Sequence, residues 1–131
     1  MSEEKEKLKK FLEKIKLQNK INKLAEKYKD KKLIAYGSGQ MAEIIVNNYD
    51  LSKLNILGFA DSKYMNKKED FYGYNTFSPS EISELNPDII LYFILEPKLV
   101  WEYFEFYYPE LENIKKEHIL KRNFFERIFG N

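Results

Sequence analysis

The sequence predicts an α/β fold: a three-layer parallel sheet of about five strands with an extra N-terminal helix. Three observations carry that expectation. The apolar run Leu33-Ile34-Ala35-Tyr36 meets Gly37-Ser38-Gly39 and passes straight into a helical pattern, as at the opening of a βαβ unit. Residues 54–60 and 89–95 are apolar runs without alternation, as in strands covered by helices on both faces. Helical patterns separate these runs, and such crossovers join parallel strands.

The elements follow in order. Residues 1–30 read as a charged amphipathic helix, a unit apart from residues 31–131. Leu8, Phe11, Leu12, Ile15, Ile21, Leu24 and Tyr28 form one stripe, Ser2 is placed as N-cap, and Glu3 and Glu4 favour the first turn. The stripe weakens at Gln18-Asn19-Lys20, marking a bend or a boundary between two shorter helices. Residues 33–36 are the first strand. Met41, Ile44, Ile45 and Tyr49 give the next helix, and residues 54–60 the second strand. Residues 62–72 are a polar loop, and residues 73–77 add a short strand. Ser78 is then the N-cap of a short helix, with Pro79 in its first position and Glu81 completing a capping box. Residues 89–95, the most hydrophobic run, are expected as the central strand. Pro97 starts a helix through Tyr108, which Pro109 stops. Residues 118–120 are read as a last strand, and 123–129 as a short amphipathic helix ended by Gly130.

Composition narrows the function. The 131 residues fit one domain with a sizeable core, and 44% apolar content excludes a wholly disordered chain. A net charge of +1 provides no global field for nucleic acid. The absence of cysteine removes disulfides, thiolate catalysis and zinc–cysteine sites. A single histidine, His118, argues against His-rich metal sites. No stretch approaches the roughly 18 apolar residues of a membrane span, and the Glu/Lys-rich start is unlike a signal peptide. A cytoplasmic protein is expected.

The glycine turn is where the chemistry concentrates. Gly37 lets the chain turn sharply off its strand, Gly39 lets backbone approach a phosphate, and Ala42 permits close helix packing. Free N–H groups at the helix start, at Ser38, Gly39, Gln40 and Met41, favour an anion. Asp61 lies 24 positions after Gly37, at the end of the second apolar run. There it either accepts from ribose hydroxyls or caps the loop that Ser62 opens. Glu96 follows the 89–95 run at the end where open α/β sheets place ligands; it faces the crevice or simply favours the next helix start.

Three pieces in one order, Ile34-Ala35-Tyr36-Gly37-Ser38-Gly39, Gly58-Phe59-Ala60-Asp61-Ser62, and Gly73-Tyr74-Asn75-Thr76-Phe77 leading to Pro87-Asp88-Ile89-Ile90-Leu91, resemble a known domain. It is the small Rossmann-like domain of bacterial polysaccharide-biosynthesis proteins, found at the front of sugar acyltransferases and of nucleotide-sugar dehydratases. The likeness covers residues 33–95, about half the chain, and the Gly-Phe-x-Asp segment is its more specific part. It implies strand order 3-2-1-4-5, a phosphate turn at Gly37, Ser38 and Gly39, and Asp61 at the ribose of a nucleotide sugar or NAD(P). The acyltransferase branch usually carries a histidine in the turn, where this chain has Gln40-Met41, and no hexapeptide-repeat domain follows within the 131 residues. Catalysis of that kind is not implied.

Other candidates weigh less. Tyr64 and Lys68 have the Tyr-x-x-x-Lys spacing of short-chain dehydrogenases, but in a polar loop far too early in the chain. Lys63 reads as a solvated loop lysine rather than a partner for a 2′-phosphate. His118 lacks neighbouring Asp or Cys as a base. The aromatics from Trp101 to Tyr108 alternate with Glu102 and Glu105 and lack the basic residues of a base-stacking surface. The expected function is a stand-alone binding module for a nucleotide or nucleotide sugar. The alternatives are an enzyme completed by a partner chain and a ligand-free assembly domain. A homodimer is expected through the N-terminal stripe or the aromatic helix, unless the first helix folds back on its own domain.

Overall fold

The computed structural model describes residues 3–120, so Ser2 and the helix expected at 123–129 lie outside the described residues. The segment ahead of the sheet is two helices, α1 (Glu3–Lys14) and α2 (Leu17–Lys27). The break falls at Ile15-Lys16 rather than at Gln18-Asn19-Lys20. Lys16 turns the chain in a left-handed conformation with φ 55°, which costs a residue with a Cβ roughly 1–2 kcal/mol. That turn lets Leu12 and Leu17 both bury completely. The polar triplet sits inside α2, where Gln18 clamps the chain after the next helix. Its amide donates to the Asp50 carbonyl at 3.0 Å and accepts from the Asp50 N–H at 2.8 Å.

The sheet comprises β1 (Leu33–Tyr36), β2 (Ile56–Ala60), β3 (Thr76–Phe77), β4 (Ile89–Tyr92) and β5 (Lys115–His118). All pair in parallel, in the order β3-β2-β1-β4-β5. Helix α3 (Gln40–Asn48) joins β1 to β2, α4 (Ile82–Leu85) precedes β4, and α5 (Lys98–Tyr107) joins β4 to β5. Side chains alternate across a strand, so Leu33, Ala35 and Leu91 enter one core cluster and Ile34, Tyr36, Ile90 and Tyr92 the other. Leu12, Leu17 and Ile21 of α1 and α2 join Ile44 and Ile45 of α3 in the first cluster; Ile82 of α4 and Phe104 of α5 enter the second. The layers are thus helices, sheet, helices, a Rossmann-like fold. No helix among the described residues is long and apolar enough to cross a membrane.

Two strands differ from their sequence pattern. β4 stops at Tyr92, and the central position belongs to β1, which β2 and β4 flank. Phe93 is still buried, its N–H donating to the Tyr36 carbonyl at 2.7 Å, but Ile94 and Leu95 belong to the connection into α5. β5 lies three residues earlier than expected, on the charged sequence Lys-Lys-Glu-His. As an edge strand it needs no apolar run. The Lys116 ammonium donates to the carbonyls of Leu111, Ile114 and Glu112 at 2.5, 2.9 and 3.3 Å. Buried Glu117 accepts from the Tyr28 hydroxyl at 2.5 Å, with Lys27 and Lys115 at 3.7 and 3.9 Å, fastening the end of α2 to β5. The capping box at Ser78 and Glu81 is present, on a 3₁₀ turn (Pro79–Glu81) that leads into α4.

Candidate functional site

Strand order reverses between β1 and β4, and the chain segments leaving the ends of β1, β2 and β4 meet there. After β1, Gly37 takes φ 107°, and its N–H donates to the Ala60 carbonyl at 2.9 Å. A Cβ on Gly37 would stand 2.5 Å from Ile94 Cγ2 and 3.2 Å from the Phe93 carbonyl. Glycine is therefore imposed by the chain's own close approach. Gly39 is different. It is the N-cap of α3 with φ −87°, no side chain caps that helix, and a Cβ there would meet nothing within 4 Å. The start of α3 is thus without a side-chain cap, with room above Gly39.

Asp61, leaving β2, turns its carboxylate toward this turn. Oδ2 accepts from the Ser38 N–H at 2.9 Å and from the Ser38 hydroxyl at 3.1 Å, while Oδ1 accepts from the Lys63 N–H at 3.2 Å. So Asp61 caps the following 3₁₀ turn (Ser62–Met65) and also anchors the glycine turn. A carboxylate has about four acceptor positions, and these three donors fill three of them. The Lys63 ammonium, on an exposed residue, donates to the Ser38 carbonyl at 3.0 Å, placing a cation beside the turn. The Tyr36 phenol lies by Ser62 and Asp61; burial first, then the Asp61 charge, pushes it well above its ordinary range, so it stays protonated.

The structure brings Gly37, Ser38, Gly39, Gln40, Asp61 and Ser62 to one locus. Met41 is the second residue of α3; its side chain is buried in the first core cluster and packs the helix on the sheet, so only its backbone faces the turn's end of the helix. Glu96 is exposed on the connection after β4. The same connection holds His118, whose Nε2 lies 2.5 Å from the Ile94 carbonyl. Burial lowers the imidazole's pKa, opposed by that carbonyl and by the Glu96 charge. The Lys68 ammonium is engaged by Glu81 at 2.5 Å, and Tyr64 is buried. No group of three metal-ligating side chains occurs among the described residues.

Two contacts at this end of the sheet are not local in the sequence: Lys63 with the Ser38 carbonyl and His118 with the Ile94 carbonyl. The signal for Lys63 was its position two residues after Asp61, on the loop that parallel pairing of Tyr36 with Ala60 must carry past the turn. His118 gave none, because nothing local ties it to residue 94.

Neither the curated proteins nor the solved structures include a match to this chain. A family model, C2185-like N-terminal, matches residues 29–96, running from just ahead of β1 to Glu96 and so including the turn and Asp61. That span is just over half of the chain, which therefore belongs to the C2185-like N-terminal family.

Proposed function

We propose that this chain is a binding module for a nucleotide or nucleotide sugar, working in the cytoplasm in surface-polysaccharide metabolism. One observation carries the reading: the uncapped start of α3 at the reversal of strand order, open above Gly39, with the Lys63 ammonium beside it. N–H groups, helix dipole and cation all favour a phosphate there. The free acceptor position of Asp61 suits a ribose hydroxyl, and the likeness to domains of polysaccharide-biosynthesis proteins supplies the ligand class. Self-association as a homodimer is part of the proposal, and ligand binding does not depend on it.

Calorimetric titration with nucleotides, nucleotide sugars, NAD(P) and pyrophosphate tests the reading. A ligand at 100 times its dissociation constant stabilises the fold by roughly 2.7 kcal/mol, readable as a raised melting temperature. Gly39→Val should abolish that response while leaving the fold, read by circular dichroism, recognisable. A second reading, a ligand-free assembly domain, is favoured by the Asp61 carboxylate already occupying the Ser38 N–H. Absence of binding across the whole panel decides for it.

A further inference from the structure

Beside the edge strand, α5, the 3₁₀ turn that follows it (Pro109–Leu111) and β5 border a cavity of about 400 Å³. It shares no residue with the glycine turn. Its walls are aromatic: Trp101, Phe104 and Tyr108 follow one another at spacings of three and four, on one side of the helix. Trp101 and Tyr108 are seven residues apart, close to two turns, and so about 10.5 Å apart along the axis. Phe104 lies buried between them, its ring at 86° to that of Tyr108 with centroids 6.0 Å apart. Trp101 is 40% exposed, so its ring is open to what enters.

The charges around the cavity say what enters. Glu105, between the two outer rings in the sequence, and Glu112, just after the turn, add two carboxylates. Both residues are exposed, and neither forms an ion pair among the described residues. Lys116 supplies one ammonium, held on the carbonyls of Leu111, Ile114 and Glu112, so two carboxylates against one ammonium leave the lining at −1. Burial lowers the pKa of that ammonium, and the Glu112 and Glu105 charges oppose the fall, so their field reaches into the cavity. A cation midway between Trp101 and Tyr108 comes within the roughly 6 Å over which an aromatic face attracts positive charge. Lysines fill that role at Tyr28, Tyr64 and Phe77, but none stands over Trp101 or Tyr108 among the described residues. A phosphate meets two like charges here, and a neutral apolar molecule gains nothing from either carboxylate.

We propose that this cavity is a binding site for an organic cation, whose ammonium or guanidinium group lies between Trp101 and Tyr108 and donates hydrogen bonds to Glu105 and Glu112. The site is separate from the glycine turn and holds whether or not that turn takes a nucleotide.

Trp101 is the chain's only tryptophan, so its emission reads this site alone. The full chain is titrated with n-butylammonium and with n-butylguanidinium, at ionic strength matched with sodium chloride. The emission should shift with dissociation constants on the order of millimolar, and n-butanol and butyrate should leave it unmoved. A shift with either cation supports the site, and the tighter of the two names the head group. Glu105→Gln and Glu112→Gln, at exposed positions, should each weaken the cations about threefold, and the double variant about tenfold, at wild-type melting temperature. No shift with either cation up to about 50 mM overturns the proposal. So does n-butanol binding as tightly as the cations, or a double variant that binds them like the wild type.

Discussion

Replacing Asp61 by alanine tests the linchpin of the turn. The substitution removes three acceptor contacts: two to Ser38 at 2.9 and 3.1 Å, and one to the Lys63 N–H at 3.2 Å. Their costs differ. Lys63 is exposed, so water replaces its partner, and the Ser38 hydroxyl rotates to a new one. The Ser38 N–H cannot, because Ser38 is 4% exposed, and a buried unsatisfied donor costs about 1–3 kcal/mol. With the charge-assisted part of the other contacts, the expected loss is about 2–3 kcal/mol. At about 2.1 cal/mol/K per residue of unfolding entropy, that lowers the melting temperature by roughly 7–10 °C. Asp61→Asn keeps one acceptor oxygen and should lose about a third as much. Scanning calorimetry of the three proteins is the assay, and an Asp61→Ala chain melting within about 2 °C of wild type refutes the anchoring role. Titration adds a second reading. Nucleoside-containing ligands should weaken about tenfold or more, by loss of a charged hydrogen bond worth about 1.5–3 kcal/mol. Inorganic pyrophosphate should bind unchanged or tighter, since a negative charge has left the start of α3.

Gly37→Ala should destabilise by about 2–4 kcal/mol, from a positive φ and a Cβ driven against Ile94; Gly39→Ala should leave urea unfolding within about 0.5 kcal/mol of wild type. The imidazole of His118 is held below its ordinary 6.5, so the unfolded chain binds its proton first. Its contribution is therefore complete above pH 6.5 and is lost as pH falls below that value; the melting temperature should drop between pH 7 and pH 5, with a shallower slope in His118→Gln. Tyr28→Phe removes the hydroxyl that serves buried Glu117 and should cost about 1.5–3 kcal/mol by equilibrium unfolding.

Much of this architecture is written locally. β1 and β4 are apolar runs buried along their whole length, β2 is one buried over its second half, and the Ser78–Glu81 box announces its helical turn within four residues. What escaped local reading is set by distant partners. β5 is a charged edge strand whose pattern Lys116 and Glu117 disguise, and the break at Lys16 uses no glycine or proline. The candidate site divides in the same way. Gly37 and the α3 start are legible in a ten-residue segment. The direction of the Asp61 carboxylate depends on packing between segments 23 residues apart, so spacing alone left its two roles open. Met41 stands in the first turn of α3, and helical geometry rotates its side chain into the core.

The bond between Tyr28 and Glu117 spans 89 residues, from the last turn of α2 to the edge strand. On a ribosome adding roughly 5–20 residues each second, Tyr28 is made roughly 4–18 s before its partner. Through that interval the apolar side of α1 and α2 has only part of its sheet to lie on, because β4 and then Ile119 and Leu120 complete that core cluster. The Tyr28–Glu117 bond thus cannot form until the edge strand has been made, and until then α1 and α2 rest on α3 and on the strands that precede it.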